Sequence, residues 1–319
     1  NSPKKNAETR IAEALAEAAL APHHYIERPH NYLDSIFDLA MSQSHGMTQY
    51  YECQFLGYAE MLSSEVDIVH LGLFWDIFFC GHYMPKRHRS FFGKPLIHFV
   101  PEKIDCLHIA QSFIDRVSYR QKTSNLAEFI DDKVYQEGRN SLLSSITNVV
   151  DKGREAGFEG VSLWEYIHLT NVGRHYSTLM AKSLRPSLTV MLPALTNANY
   201  DLAFNLPSKY KINWTAYQLM LNRIAPDLML IENSNTHIKA STPLKIQSAM
   251  KVVKGVANLV KGGKPNVSIN FAERSWPRAR DAYGTGNVID QQVNRLLSGG
   301  RVMDLGILNA NMVRRAYSD

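Results

Sequence analysis

The spacing of apolar positions changes along the chain and predicts its elements. Apolar side chains recur at helical spacing over about 7–20, 32–41 and 47–62. The segments 23–29 and 66–72 instead predict strands, the second a buried strand that ends at a glycine. Helices that alternate with short strands are typical of parallel α/β units.

After about residue 100 the pattern becomes almost entirely helical. Short helices broken by Pro207 and Pro226 follow the long ones, and a Lys-rich amphipathic helix covers 244–264. The sequence therefore predicts an α/β fold, with a partial parallel-sheet, nucleotide-binding half over 1–100 and a mainly helical half of the same domain over 101–319.

The two predicted strands are too few for a parallel sheet. Such sheets are buried on both faces and normally contain more strands. We therefore expect further strands from a segment that precedes Asn1, so that this sequence begins partway through a fold.

The composition is that of a soluble globular protein: 319 residues, 45% hydrophobic and 20% charged. The net charge of +5 allows contact with phosphates and does not require a nucleic-acid partner. Three cysteines without a CxxC pair favour a reducing, cytoplasmic setting. The apolar run 68–84 is not expected to span a membrane, because Asp76 near its centre would cost about 2.5–3.5 kcal/mol.

Asp76 is the most unusual residue of that run. A strand that ends at Gly72 and a helix that starts near Asp76 place this carboxylate at the carboxyl end of a parallel strand, where open α/β sheets bind ligands. Aspartate is also a good helix N-cap. Gly81 allows a close approach of backbone. The residues alone leave capping and ligand binding equally open.

Two segments carry a resemblance to a known family. Residues 69–83, VHLGLFWDIFFCGHY, and residues 191–212, MLPALTNANYDLAFNLPSKYKI, resemble the asparagine synthetase and β-lactam synthetase family. The resemblance implies an adenine-nucleotide hydrolase-like fold in which Asp76 holds Mg²⁺ on the pyrophosphate of ATP, with Gly72 and Gly81 in the nucleotide-binding loop. Carboxylate oxygen is a ligand that Mg²⁺ prefers.

The reaction that the resemblance implies is ATP-dependent amide-bond formation through an acyl-adenylate. Its partners would be a small carboxylate and ammonia or another amine, which a separate glutaminase domain or subunit could supply. Lys239 or Lys86 would neutralise the developing phosphate charge. Tyr83, Arg174 and His175 are candidates for substrate contact, and structural ion pairing is equally open for the last two.

The chain also departs from the family at several positions. It has no Ser-Gly-Gly-x-Asp-Ser pyrophosphate loop after a first strand, and we interpret Ser298-Gly299-Gly300 as a helix end. The family's Pro-Phe-Leu-Asp becomes 193–196, with Thr196 in place of the aspartate, and Lys239 is displaced by a few residues. The alternative is a catalytically inactive relative or a fragment that acts as a binding or scaffolding module.

Other candidate chemistry is weaker. The basic segment 84–89 can meet phosphates or a carboxylate, although a solvated loop is favoured. The spacing of the histidines fits no standard zinc pattern. We expect Cys53 and Cys80 to be buried, inert thiols, and we expect no nucleic-acid partner, because aromatic side chains do not alternate with a broad basic face.

Overall fold

The computed structural model of the chain is mixed α/β and mostly helical. It describes residues 5–29, 31–44, 53, 55–91, 94–117, 126–234, 236–260, 288–298, 305–309, 311–313 and 315. The α-helices are α1 (Ala7–Ala18), α2 (Tyr32–Ser44), α3 (Ala59–Glu65), α4 (Trp75–Phe79), α5 (Ile109–Val117), α6 (Leu126–Phe129), α7 (Asp132–Glu155), α8 (Gly160–His168), α9 (Leu179–Leu184), α10 (Asn197–Asn205), α11 (Ser208–Lys211), α12 (Thr215–Ile224), α13 (Leu244–Val260) and α14 (Val288–Leu297). Shorter 3₁₀ turns cover Leu56–Tyr58, Ile212–Trp214 and Leu228–Leu230, and a π-helix covers Leu169–Ser177.

The strands form two small sheets. Strand β1 (Ile68–His70) pairs in parallel with β4 (Thr189–Met191), and β2 (Lys86–Phe91) pairs antiparallel with β3 (Lys94–Pro101). Each sheet has two strands among the described residues. Strand β4 lies in the half of the chain that the sequence predicted to be helical, so that half also contributes to the parallel sheet.

The chain divides into two compact units. The first unit consists of Asn1–Tyr32, Tyr58–Glu102 and Leu184–Arg278, and the second of Leu33–Gly57, Lys103–Ser183 and Ala279–Asp319. Both units are therefore built from separate segments of the chain.

Several sequence predictions for the first unit need correction. Segment 23–29 is not a strand, since only Glu27 makes a bridge there. Strand β1 is not buried: Ile68 is 51% exposed, because within the described residues only β4 lies beside it. Segment 84–89 is not a loop; from Lys86 onward it forms β2, whose side chains find cross-strand partners on β3.

The helical predictions are mostly confirmed. Helices α2, α10, α11 and α12 occur where periodicity and proline placed them. Within 47–62 the described residues form the 3₁₀ turn and α3 instead of one continuous helix. Residues 45–52, 118–125, 261–287 and 299–304 lie outside the described part. The end of the predicted Lys-rich helix, 261–264, and the predicted helix end at Gly299-Gly300 are therefore not described.

The second unit contains an apolar core between α5, α7 and α8. Ile109, Phe113 and Ile167 are at most 2% exposed, and the Phe113 ring meets the Trp164 ring edge-to-face at 5.5 Å. Asp131 caps α7 by accepting hydrogen bonds from the backbone N–H groups of Lys133 and Val134. None of the helices in the described part of the chain combines the length and apolar composition needed to cross a bilayer.

Candidate functional site at the end of strand β1

The parallel pair β1–β4 brings two distant segments together. His70 pairs with Met191, and the next backbone N–H, that of Leu71, donates to the Met191 carbonyl at 3.0 Å. The segments that follow these strand ends are 71–83 and 192–212, the parts of the sequence that carry the family resemblance. Ligands of open α/β sheets bind at such carboxyl ends.

Helix α4 follows β1 and presents Asp76 to solvent. Ile77, Phe78 and Phe79 are 2–5% exposed, and the Phe78 ring packs at 4.9 Å against Tyr200 of α10. The capping interpretation of Asp76 is wrong, because the N-cap is Phe74, in the left-handed region at φ 77° and without a side-chain cap. Asp76 is therefore an exposed carboxylate on a helix whose next three side chains are buried, and it does not cap that helix.

His82 is the nearest basic side chain to Asp76. Its Nδ1 lies 3.7 Å from Asp76 Oδ2, and the two side chains are 61% and 58% exposed. An ion pair this exposed contributes at most about 1 kcal/mol. Surrounding protein atoms desolvate the imidazole and lower the pKa of His82; Asp76 opposes this shift, and Lys86 adds to it. The lowered pKa of His82 favours the neutral imidazole, which weakens its ion pair with Asp76.

Lys86 fixes the loop that carries His82. Its Nζ donates a hydrogen bond to the Gly81 carbonyl at 2.5 Å and lies 4.8 Å from the centre of the Phe99 ring. Gly81 has φ +60°, and a Cβ there would lie 2.8 Å from Met84 Sδ. The positive φ favours glycine at this position, and a larger residue would also displace the flexible Met84 side chain.

Cys80 and Tyr217 border the same site. Burial, followed by the nearby charge of Asp76, raises the pKa of Cys80 to about 12, so it is a protonated thiol and a poor nucleophile. Burial raises the pKa of Tyr217 on α12, and Cys80 and Asp76 add to that shift. Sequence reasoning missed Tyr217 because no local pattern connects α12 with α4.

The remaining predicted residues of the first unit are Gly72, Tyr83 and Lys239. Gly72 is exposed, and a Cβ at this position would meet nothing within 4 Å. Tyr83 is 8% exposed, and its ring lies 5.7 Å from that of His82. Lys239 is exposed on a backbone bridge with Glu232. No described hydrogen bond or ion pair connects the Lys239 side chain with Asp76.

Arg174 and His175 belong to the second unit. Both lie in the π-helix Leu169–Ser177, where Arg174 is exposed and its carbonyl accepts a hydrogen bond from the Thr178 hydroxyl. The side chain of His175 lies outside the described part of the structure. A role in substrate contact stays a prediction for both residues.

Asn213 connects the hairpin to the helices beside the site. Its Oδ1 accepts from the Phe99 N–H at 2.7 Å, its Nδ2 donates to the Phe99 carbonyl at 3.0 Å, and the same Nδ2 lies 3.3 Å from His98 Nε2. Asn213 and Trp214 both have left-handed φ values, 59° and 62°. Asparagine tolerates a left-handed conformation. This tolerance is the one feature of the sequence that could have indicated a special role for residue 213.

The site offers a magnesium–nucleotide complex a single protein ligand, the carboxylate of Asp76. Among the described residues no group of three or more His, Cys, Asp or Glu side chains is arranged to hold a metal ion. Mg²⁺ at nucleotide sites is bound by one or two carboxylates together with substrate phosphates. The exposed carboxylate of Asp76 meets that smaller requirement.

Comparison with protein-family models, with curated proteins and with solved structures gives no match for this chain. The resemblance to the synthetase family therefore depends on the two sequence segments.

Proposed function

We propose that this chain catalyses ATP-dependent amide-bond formation of the asparagine synthetase type, with Asp76 as a magnesium ligand. The observation that best supports this proposal is the parallel pairing of β1 with β4. That pairing brings both segments of the family resemblance to one sheet edge, which is the ligand-binding edge of open α/β sheets.

The proposed reaction has two steps. An oxygen of the substrate carboxylate bonds to the α-phosphorus of ATP, the bond from that phosphorus to the bridging oxygen breaks, and pyrophosphate leaves. An amine then bonds to the acyl carbon, AMP leaves with the electron pair of the broken C–O bond, and the nitrogen loses a proton. Asp76 would hold a magnesium ion that is shared with the phosphates, and that ion would supply positive charge for the leaving pyrophosphate.

The residues of the site take different parts in this proposal. Asp76 offers an exposed oxygen ligand, and the lowered pKa of His82 weakens the one ion pair described for that carboxylate. Lys86 positions the Gly81 backbone through its hydrogen bond, and so fixes the loop beside Asp76. Lys239 is the candidate for the charge on the phosphates, and Tyr83, Arg174 and His175 are the candidates for substrate contact.

A second candidate is a binding or scaffolding module that has kept the fold without the reaction. The missing Ser-Gly-Gly-x-Asp-Ser loop favours it. The ammonium of Lys86 also favours it, because this group already donates a hydrogen bond to the Gly81 carbonyl. This candidate predicts no binding of nucleotide at all.

Calorimetric titration with Mg²⁺–ATP separates the two candidates. We expect the wild-type chain to bind, Asp76→Asn to bind at least about tenfold more weakly, and Asp67→Asn to bind like wild type. Asp67 is a matched control because it is an exposed aspartate at the other end of β1. The release of pyrophosphate from ATP, measured with a panel of carboxylates, then tests the reaction. Hydroxylamine is added to trap the acyl-adenylate.

Each outcome decides a different part of the proposal. No binding by the wild-type chain would support the scaffolding module. Equal binding by wild type and Asp76→Asn would remove Asp76 as the metal ligand. Binding without carboxylate-dependent release of pyrophosphate would reject amide-bond formation.

A further inference from the structure

Helix α13 of the first unit exposes an apolar stripe to solvent. The stripe consists of Ile246, Met250 and Val253, which recur at helical spacing and are 40–66% exposed. On the opposite face of the helix Leu244 and Ser248 are buried, and the helix packs against β3. One face of α13 is therefore held in the fold, while a second apolar face is open to a partner.

The segment that carries the apolar stripe is basic. Between Glu232 and Glu273 the chain has no acidic residue, and it has lysines at positions 239, 245, 251, 254, 261 and 264. Lys245 is exposed and directly precedes the first residue of the stripe. Helices that combine an apolar face with lysine-rich surroundings are typical of proteins that lie on a membrane surface.

The β2–β3 hairpin adds positive charge beside this helix. Burial lowers the pKa of His98 on β3, and the charges of Arg89 on β2 and Lys245 on α13 lower it further. Both cations therefore lie near the same imidazole, and both are exposed. Two elements of the first unit thus contribute positive charge at the start of the apolar stripe.

Charge and shape decide which partner fits this face. A second copy of the chain would bring one basic surface against another, which is repulsive. A protein that encloses a helix in a groove needs most sides of that helix to be free, whereas α13 is held against β3. An anionic bilayer meets both conditions, because it is flat, accepts apolar side chains below its headgroups and attracts lysine and arginine.

We propose that α13 binds the surface of an anionic lipid bilayer. Ile246, Met250 and Val253 insert below the headgroups, and Lys245 and Arg89 contact the lipid phosphates. The apolar stem of the lysine lies along the stripe while its ammonium reaches the headgroups. The helix lies in the plane of the interface and does not cross the bilayer. This binding stands whether or not the Asp76 site catalyses a reaction.

Sedimentation of the chain with sucrose-loaded vesicles tests the proposal. Vesicles of phosphatidylcholine with about 30% phosphatidylserine should bind the chain, and vesicles of phosphatidylcholine alone should bind it at least about tenfold more weakly. Added salt should weaken binding to the anionic vesicles, because it screens the attraction between the cations and the lipids. Binding to neither kind of vesicle, or equal binding to both, would overturn the proposal.

A double variant tests the apolar stripe. Ile246→Thr/Val253→Thr removes apolar area but keeps β-branched side chains in the helix, and it should weaken binding to the anionic vesicles about tenfold. Leu219→Thr/Ile224→Thr on α12 is the matched control, because these side chains are also more than half exposed in the first unit. It should bind like wild type once circular dichroism shows that both variants are folded. Losses of the same size would contradict a role of the stripe.

A second double variant tests the cations. Arg89→Gln/Lys245→Gln should weaken binding to the anionic vesicles at least about tenfold. Arg10→Gln/Arg223→Gln removes the same net charge from exposed positions of the same unit and should bind like wild type. Equal binding by these two variants would show that the charge beside α13 has no special part, which contradicts the proposed orientation.

Two further measurements distinguish a bilayer from other partners. Polyglutamate should leave most of the chain on the anionic vesicles, because it offers charge without an apolar phase. Complete displacement by polyglutamate would assign the surface to an acidic protein. Sedimentation velocity should show no dimer that depends on the apolar stripe, and a dimer that is lost in Ile246→Thr/Val253→Thr would assign the stripe to a second copy. Either result would overturn the proposal.

Discussion

The apolar core of the second unit and the β2–β3 hairpin of the first are stabilised in different ways. In the core, Ile109, Phe113 and Ile167 are shielded from water by neighbours on α5, α7 and α8, which follow one another along the chain. In the hairpin, a polar side chain from residue 213 completes the hydrogen bonds of Phe99, which is 114 positions away. The first arrangement depends on area buried and the second on one set of specific bonds.

The largest expected effect breaks the core. Phe113→Ala removes a fully buried ring that contacts Trp164 and His168, and it should lower the free energy of unfolding by about 3–5 kcal/mol. Urea denaturation followed by circular dichroism measures this. Leu142→Ala on α7 is the control, because Leu142 is 42% exposed and should change stability by less than about 1 kcal/mol. Similar losses in both variants would contradict burial as the cause.

The next effect breaks the hairpin contact. Asn213→Ala leaves the Phe99 N–H and carbonyl without their partner and should cost about 1–3 kcal/mol. Asn213→Gly removes the same bonds but accepts φ 59° without strain, so it should be about 1 kcal/mol more stable than the alanine variant. Denaturant melts of both variants give the two contributions separately. An alanine variant as stable as wild type would show that the amide bonds are not needed.

Two glycines of α7 test how tightly the core of the second unit is packed. A Cβ at Gly153 would lie 2.5 Å from Leu163 Cδ1 and 2.8 Å from Tyr166 Cδ1, whereas nothing lies within 4 Å at Gly138. We expect Gly138→Ala to stabilise by about 0.5–1 kcal/mol through helix propensity, and Gly153→Ala to lose that gain to crowding of about 1–3 kcal/mol. Thermal melts measure the difference in stability between the two variants. Equal gains in stability would show that α8 and its side chains shift to make room for the added methyl group.

The smallest effect depends on pH and concerns the hairpin. Burial lowers the pKa of His98 from its ordinary 6.5, and Arg89 and Lys245 lower it further. A histidine whose folded pKa is depressed binds fewer protons than in the unfolded chain, so stability falls as pH drops below about 6.5. His98→Gln should reduce that fall, because an amide does not titrate in this range, while its oxygen can still accept a hydrogen bond from Asn213. Unfolding free energies at pH 7.5 and 5.5 test this, and an unchanged fall would exclude His98.

The sequence predicts the parts of this fold that are local. Helical spacing places α2 and α12, and proline separates α10 from α11, because each pattern is written in neighbouring residues. It also predicts that β1 ends near Gly72 and that Asp76 follows it. The ligand role of Asp76 stays a prediction.

What the sequence does not predict is non-local. Strand β4 has three residues and no pattern of its own, and it becomes a strand because β1 lies beside it. Strand β2 is a run of charged residues with low strand propensity, yet Phe99 gives Lys86 and His88 a ring to pack on. Tyr217 and Asn213 are far from Asp76 in the sequence, and only tertiary contacts bring their segment beside the helix that carries Asp76.

The pairing of β1 with β4 can form only late during translation of the chain. Strand β4 is translated about 120 residues after β1, which at about 5–20 residues per second leaves β1 without its partner for roughly 6–24 s. The helices α5 to α9 emerge during that interval and can fold through contacts close in sequence. Ile68 and its neighbours on β1 therefore stay unpaired until β4 has been synthesised.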